Sequence, residues 1–166
     1  MKNIYLVGFM ATGKTSVGRA LARRLKKKFF DLDDLIEQKE DMRIADIFKE
    51  KGEPYFRAVE KEIIKDVSQR CDLVVGCGGG AIANAENLAV LKQSGLVICL
   101  KADIDTIINR SKGTDQRPLL NVEDPQSRII DLLKKRESFY SKSDHIIDTT
   151  NLDINAVVDK IIVILE

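Results

Sequence analysis

A phosphate-binding loop near the N-terminus is the feature that most constrains how this chain folds. Residues 8–15 read GFMATGKT and match the pattern G-x-x-x-x-G-K-[ST]. The apolar run 3–7 before the loop predicts a buried strand. After the loop, Val17, Leu21 and Leu25 recur at helical spacing. Strand, glycine-rich turn and helix follow in the order that this motif requires, so the sequence predicts a nucleoside triphosphate site.

The parts of this loop have defined chemical roles. Its glycines let backbone N–H groups converge on an anion, and the start of the next helix adds the positive end of its dipole. Lys14 is predicted to pair with the outer phosphates of ATP, and the Thr15 hydroxyl to ligate Mg²⁺. A tight glycine turn without a ligand is the alternative. The predicted ATP-binding residues of the loop are Gly8, Ala11, Thr12, Gly13, Lys14, Thr15 and Ser16.

Apolar runs alternate with helical patterns along all 166 residues. Further strands are predicted at 29–31, 73–77, 96–100 and 145–148, and helices at 15–27, 34–40, 44–51, 54–70, 85–93, 104–111, 125–141 and 154–165. This alternation predicts an α/β fold in three layers, a parallel sheet covered by helices on both faces. Such sheets bind ligands at the carboxyl ends of their strands. We therefore expect the segments that follow the first three strands to meet in one cleft.

Composition and charge exclude other classes of protein. The chain is 44% hydrophobic and 32% charged with a formal net charge of +1, which favours one globular domain over 1–166 and neither nucleic-acid nor membrane binding. Apolar runs are too short to span a membrane, and the first strand starts too early for a targeting peptide, so we expect a cytoplasmic protein. Cys71, Cys77 and Cys99 lack metal-like spacing and are expected to be free thiols. His145 is interpreted as a strand-end residue and not as a catalytic base.

Two carboxylates follow the second predicted strand. On an extended chain the side chains of Asp31 and Asp33 point in opposite directions, so we expect them to serve different ligand atoms. Mg²⁺ prefers oxygen ligands and often keeps several waters, so Asp31 is a candidate to hold the metal through one of these waters. Asp33 is predicted to face the second substrate. Helix capping is the alternative role for this pair.

Glycines and an irregular segment supply two further signals. Gly78, Gly79 and Gly80 follow the third strand, and three glycines in a row indicate a close approach of the backbone to a ligand. A flexible turn is the alternative.

Residues 112–124 have neither helical nor strand periodicity and contain Arg117. In a phosphotransferase such a stretch is predicted to be a lid that excludes water.

Two arginines are candidates for binding an acceptor. Arg57 follows a turn and a helix start, where a rigid guanidinium can bind a carboxylate through two hydrogen bonds. Arg136 lies in the charged run 134–137, and its local pattern alone predicts an exposed helix face.

Taken in order, these segments resemble the shikimate kinases along the whole chain. The matching segments are GFMATGKT at 8–15, DLD at 31–33, IADIF at 44–48, GEPYFRAVE at 52–60, GGG at 78–80, RPLL at 117–120 and RESFY at 136–140. The resemblance implies transfer of the γ-phosphoryl group of ATP to the 3-hydroxyl of shikimate, in aromatic amino acid biosynthesis. It also implies a five-stranded parallel sheet of the nucleoside monophosphate kinase type, with an acceptor-binding segment at about 33–60 and the lid at 112–124.

The resemblance also implies roles for individual residues. Asp33 would hold the shikimate hydroxyls, while Arg57 and Arg136 would bind its carboxylate. Asp33 is also the candidate to accept the hydroxyl proton, and binding alone is the alternative role. Arg117 would reach the phosphates. The glycines implied to line the shikimate pocket are Gly78, Gly79 and Gly80, and the residues implied to lie beside the adenine are Arg110 and the 151–155 stretch that begins with Asn151. Lys14, Asp33 and Arg117 form the predicted catalytic set.

The sequence departs from the family pattern at two positions and leaves other functions open. Ala11 stands where glycine is common, which is expected to alter affinity without abolishing function, and Cys77 is expected near the site without a catalytic role.

The alternative functions are a kinase of gluconate or of a nucleoside monophosphate, and a nucleotide-binding regulator without catalysis. Asp33 with the two arginines fits a hydroxy acid better than a nucleotide acceptor, and a regulator needs no acceptor site. The chain is predicted to act as a monomer.

Overall fold

A central parallel sheet organises the molecule, a computed structural model that describes residues 2–111 and 124–166. Its strands are β1 (Asn3–Val7), β2 (Lys28–Asp31), β3 (Leu73–Gly76), β4 (Gly95–Lys101) and β5 (His145–Asp148). They lie in the order β2-β3-β1-β4-β5, and all neighbours are parallel. Tyr5 of β1 is in register with Val75 of β3 and Val97 of β4. The predicted five-stranded parallel sheet is confirmed.

Helices cover both faces of this sheet. Within the described ranges they are α1 (Lys14–Leu25), α2 (Leu32–Glu40), α3 (Ile44–Ser68), α4 (Ala85–Ser94), α5 (Ile104–Ser111), α6 (Pro125–Tyr140) and α7 (Ile154–Leu165). Alternate residues of β1 face opposite layers, because Ile4 and Leu6 join one buried cluster while Tyr5 and Val7 join the other. The first cluster packs under α1 and α7, and the second under helices that include α3 and α6. The three predicted layers are therefore present.

One sharp bend places part of the candidate site. The sequence predicted separate helices at 44–51 and 54–70, whereas α3 runs through both and is interrupted at Gly52, whose φ is 81° and ψ 167°. Glycine adopts this positive φ without the steric cost of a side chain. Pro54 is tolerated because it lies in the first turn after the bend, where its missing N–H would have no helical partner. The bend gives the segment that carries Arg57 its own direction.

Of the helices in the described part of the chain, none is long and apolar enough to cross a membrane.

Candidate active site

The segments that follow β1, β2 and β3 line one cavity of about 380 Å³ at the carboxyl edge of the sheet. The sequence predicted that these three segments would meet, and they do. The predicted site residues that line this cavity are Ala11, Gly13, Lys14, Thr15, Ser16, Asp31, Asp33, Arg57, Gly78, Gly79, Gly80 and Arg136. Parallel strands bring their carboxyl ends to one edge, which is why segments distant in sequence converge.

The phosphate-binding loop is folded around the carbonyl of Phe9. Lys14 Nζ donates to this oxygen at 2.7 Å, and Thr12 Oγ1 donates to it at 2.8 Å. A carbonyl is uncharged, so it holds the ammonium group of Lys14 at the cavity without neutralising it. Gly8 lines neither of the two cavities described here; a β-carbon on it would lie 2.1 Å from the carbonyl oxygen of Leu100 in β4. Close packing against β4 therefore accounts for this glycine.

Thr15 and Asp31 bring two oxygen groups together beside the loop. The Thr15 hydroxyl donates to Asp31 Oδ2 at 2.8 Å, while Asp31 Oδ1 accepts from the backbone N–H of Asp33 at 3.1 Å. Asp31 is thus the N-cap of α2 as well as a member of the cavity wall. The described residues contain no cluster of three or more His, Cys, Asp or Glu that could hold a metal ion. One hydroxyl and one carboxylate fit Mg²⁺, which takes its remaining ligands from water and phosphate.

Asp33 lies on a helix and not on an extended chain, which corrects the expectation from the sequence. The helix α2 begins at Leu32, two residues earlier than predicted, because Asp31 caps it. Asp33 therefore lies in the first turn and also lines the cavity. Burial, with the nearby charges of Asp31 and Glu60, raises the pKa of Asp33 to about 6 in spite of Lys14. Burial among carboxylates therefore makes the ionised form of Asp33 costly.

Replacement of Asp33 by asparagine should therefore stabilise the empty protein at high pH. The pKa of Asp33 is 3.8 in the unfolded chain and about 6 in the folded protein. At a pH below 3.8 the protonated group contributes fully to stability, and this contribution is lost as the pH rises through about 6. We expect Asp33→Asn to gain about 2 kcal/mol at pH 8, or about 4 to 8 °C in Tm, relative to the wild type. The difference should vanish below pH 4. Thermal melts across this range with EDTA measure it; a difference independent of pH would contradict the raised pKa.

Glu60 is a cavity residue that the sequence interpretation missed. Its side chain is 1% exposed, and its Oε2 accepts from Arg57 Nη1 at 2.8 Å. Arg57 also pairs with Glu53 at 3.1 Å. Glu60 Oε1 is buried and has no hydrogen-bond partner among the described residues. The spacing of three residues on a helix, which brings a carboxylate beside a guanidinium, was the available signal.

The glycines at 78–80 are explained by side chains that approach them closely. A β-carbon on Gly78 would lie 3.1 Å from Asp33 Oδ1 and 3.3 Å from Glu60 Oε1. A β-carbon on Gly80 would lie 2.6 Å from Arg57 Nη2. A β-carbon at either position would force these charged side chains to shift. The close approach predicted for the three glycines is thus partly to the charged residues of the protein itself.

Arg136 is buried, contrary to what its local charged pattern predicts. Helix α6 carries it to the cavity, where it is 8% exposed and its Cζ lies 5.8 Å from the centre of the Phe9 ring. The aromatic face favours a cation at this distance. Two guanidinium groups, those of Arg57 and Arg136, therefore face one cavity that also contains Asp33. Such a set can bind an anionic molecule that carries hydroxyl groups.

A second cavity of about 530 Å³ adjoins the loop on the side of α7. Gly13 and Ser16 line both cavities, so the two lie next to each other along the loop. Arg110 and Thr12 line the second one, and Arg110 Nη2 donates to the carbonyl of Thr149 at 3.2 Å. Asn151 is exposed and lines neither cavity, although Leu152, Asp153 and Asn155 line the second. Arg117 and positions 112–123 of the predicted lid lie outside the described residues.

Comparisons with known proteins bear on this site. A family model described as shikimate kinase matches residues 10–166. The chain belongs to the shikimate kinase family. It is 46% identical to the shikimate kinase of Thermodesulfovibrio yellowstonii, over 98% of this chain and 94% of the relative, and 43% identical to that of Caldanaerobacter subterraneus, over 98% and 95%. The family predicted from the ordered motifs is confirmed.

Solved structures agree with this assignment to the shikimate kinases. The shikimate kinase from Acinetobacter baumannii in complex with shikimate has a TM-score of 0.96 and 38% identity, covering 99% of this chain and 93% of that one. A gluconokinase from Sinorhizobium meliloti has a TM-score of 0.60 at 15% identity, covering 96% and 88%. At that identity the second likeness shows the fold alone.

The two departures from the family pattern have defined places in this shikimate kinase. Ala11 has a φ of 61°, in the left-handed region, and its carbonyl accepts from Arg110 Nη1 at 3.4 Å. Residues other than glycine are uncommon in this region of backbone conformation. The hydrogen bond from Arg110 is one contact that holds Ala11 in it. Cys77 lines the first cavity but is 1% exposed. Burial raises the pKa of its thiol far above neutrality, so the sulfur is protonated and a poor nucleophile.

Proposed function

We propose that this shikimate kinase transfers the γ-phosphoryl group of ATP to the 3-hydroxyl of shikimate, giving shikimate 3-phosphate and ADP. The observation that carries the proposal is one cavity that joins the phosphate-binding loop to a carboxylate and two arginines. Shikimate is an anion that carries hydroxyl groups, so it matches that set. The Acinetobacter baumannii relative, solved in complex with shikimate, supports the same acceptor.

The nucleotide is proposed to lie across both cavities. Gly13 and Ser16 belong to each of them, so a triphosphate on the loop connects to a base in the second cavity. The start of α1 directs its N–H groups and its positive dipole end at the phosphates. Lys14 binds the outer phosphates, and Arg110 lies beside the adenine. The 151–155 stretch that begins with Asn151 borders the base through Leu152, Asp153 and Asn155, which line the second cavity. Arg117 completes the phosphate contacts from the lid at 112–124.

Mg²⁺ is proposed to bind between Thr15 and Asp31, whose oxygens already lie within hydrogen-bonding distance. When bound, the ion neutralises charge on the β- and γ-phosphates. Asp31 is well suited to this role because burial raises its pKa and a cation would offset that cost.

The acceptor is proposed to lie in the first cavity, held mainly by the segment 33–60 and by α6. Arg57 and Arg136 bind the carboxylate, and Asp33 with the glycines at 78–80 binds the hydroxyls. A carboxyl group with a pKa of about 6 is ionised at neutral pH yet basic enough to accept the proton of the attacking hydroxyl. The chain is proposed to act as a monomer.

A panel of acceptors tests this proposal. With ATP and Mg²⁺, release of ADP should rise at least about a hundredfold on adding shikimate and should change little with gluconate or AMP. The product should be identified by mass as a monophosphate of shikimate. Turnover with gluconate or AMP but not with shikimate would identify a different kinase. ATP binding without transfer to any of the three would favour a nucleotide-binding regulator.

A further inference from the structure

We propose that Tyr140 is a positioning residue of the acceptor site, acting through the backbone of the glycine loop at 78–80. The inference rests on the proposed function and adds to it a residue that does not itself line the cavity. Tyr140 ends α6, is 9% exposed, and donates its hydroxyl to the carbonyl of Gly79 at 2.5 Å. That contact joins residues 61 positions apart in the chain.

The bond to the Gly79 carbonyl holds the peptide group that joins Gly79 to Gly80, and both residues line the cavity. The carbonyl of Gly79 and the N–H of Gly80 belong to one planar peptide group, so the direction of the first determines the direction of the second. Gly80 lines the cavity. Glycine has wide access to alternative backbone conformations, and a pair of glycines needs an external contact to hold one peptide plane. The Tyr140 hydroxyl supplies that contact.

Helix α6 carries Arg136 as well as Tyr140, so one helix contacts both the glycine loop and the proposed carboxylate-binding position. Arg136 and Tyr140 are four residues apart on α6 and therefore lie on one face of the helix. A β-carbon on Gly79 would lie 3.2 Å from Arg136 Nη1 and 3.5 Å from the Gly8 carbonyl oxygen. The Gly79 backbone thus lies between Arg136, which is proposed to bind the carboxylate of shikimate, and the start of the phosphate-binding loop. Tyr140 fixes the spacing between the glycine loop and Arg136.

The Tyr140 hydroxyl is a constant donor over the whole working range of pH. Burial raises the pKa of Tyr140 to about 12, although the charge of Arg136 opposes the rise. The phenol therefore keeps its proton. Packing of α6 against the turn Ala81–Ala83 holds the ring beside the loop.

The variant Tyr140→Phe tests the proposal because it removes the hydroxyl and keeps the ring. We expect the KM for shikimate to rise about three- to tenfold, as for the loss of one hydrogen bond, and the KM for ATP to stay within about twofold. The matched control is Tyr5→Phe: Tyr5 is fully buried in β1, and its hydroxyl bonds to Ser94 at 2.7 Å and Asn3 at 3.0 Å, away from the cavity. Both KM values should be unchanged in this control.

A second measurement reads the peptide group directly. The amide resonance of Gly80 in a ¹H–¹⁵N spectrum should shift in Tyr140→Phe and not in Tyr5→Phe, because it reports the hydrogen bond at the Gly79 carbonyl. An unshifted Gly80 resonance, an unchanged shikimate KM, or an equal rise in both KM values would overturn the proposal. An equal effect of Tyr5→Phe on shikimate would also overturn it. A wild-type protein that ignores shikimate refutes the proposed function instead, and the Gly80 resonance still tests the contact.

Discussion

Replacement of Lys14 by methionine should lower turnover with shikimate by about a hundredfold to a thousandfold while the protein stays folded. Methionine keeps most of the aliphatic stem and removes the charge that stabilises the transferring phosphoryl group. Lys14 Nζ donates to the Phe9 carbonyl at 2.7 Å, and the loss of one such hydrogen bond costs about 0.5 to 1.5 kcal/mol, too little to unfold the protein. Steady-state kinetics and a thermal melt measure the two effects separately.

The Lys14 variant should also change how activity depends on pH. The charge of Lys14 lowers the pKa of Asp33, against the larger effect of burial, so its removal should move the acidic limb of kcat/KM to higher pH. The control is Lys65→Met, which removes an exposed lysine on α3 and should leave both turnover and pH profile unchanged. Near-normal turnover in Lys14→Met would show that the loop is not the catalytic phosphate site.

Replacement of Arg57 by alanine should weaken shikimate binding by about one to two decades and leave ATP binding almost unchanged. The loss corresponds to one charge-assisted hydrogen bond to the carboxylate, worth about 1.5 to 3 kcal/mol, and loss of a second bond would weaken binding by as much again. Lysine keeps the charge but not the planar pair of donors, so Arg57→Lys should recover only part of the affinity. Separate titrations with shikimate and with ATP measure both. Equal weakening of ATP and shikimate would mean that the acceptor site is misassigned.

Glu60 makes a sharper version of this experiment possible. Arg57→Ala leaves a carboxylate that is 1% exposed without its 2.8 Å partner, which should cost about 3 kcal/mol of stability. The double variant Arg57→Ala with Glu60→Gln removes the uncompensated charge, so its Tm should recover toward the wild type. Its affinity for shikimate should stay low, because the ligand for the carboxylate is still missing. Recovery of affinity together with Tm would show that Arg57 acts only through stability.

Asp31 and Asp33 show which features of the site the local sequence pattern could predict and which it could not. Both residues lie at the predicted edge of the sheet and both line the cavity, as expected from strand periodicity and sheet geometry. The extended backbone predicted at Asp33 was wrong. The side chain of Asp31 caps α2, which starts the helix at Leu32 and places Asp33 in its first turn. Capping and strand extension compete at such a position, and the sequence alone does not decide between them.

Some residues of the cavity were predicted from the sequence, and others were missed. Site positions such as Thr15, Arg57 and Arg136 were predicted from motif and resemblance, and the fold brings them to one cavity, but their roles toward ligands stay predictions. Glu60 was missed because a glutamate on a helix is normally exposed. Its burial depends on Arg57 in its own helix and on the space left by Gly78.

By itself the sequence determined the phosphate-binding loop, the alternation of strands and helices, and the family. Those features are carried by local periodicity, by glycine and by short ordered motifs, which need no knowledge of distant contacts. Only the tertiary structure decided that Arg136 and Glu60 are buried, that Tyr140 holds the Gly79 carbonyl, and that Gly80 leaves room for Arg57. A charged or phenolic side chain is buried only where groups from remote segments satisfy it, and the fold brings those segments together.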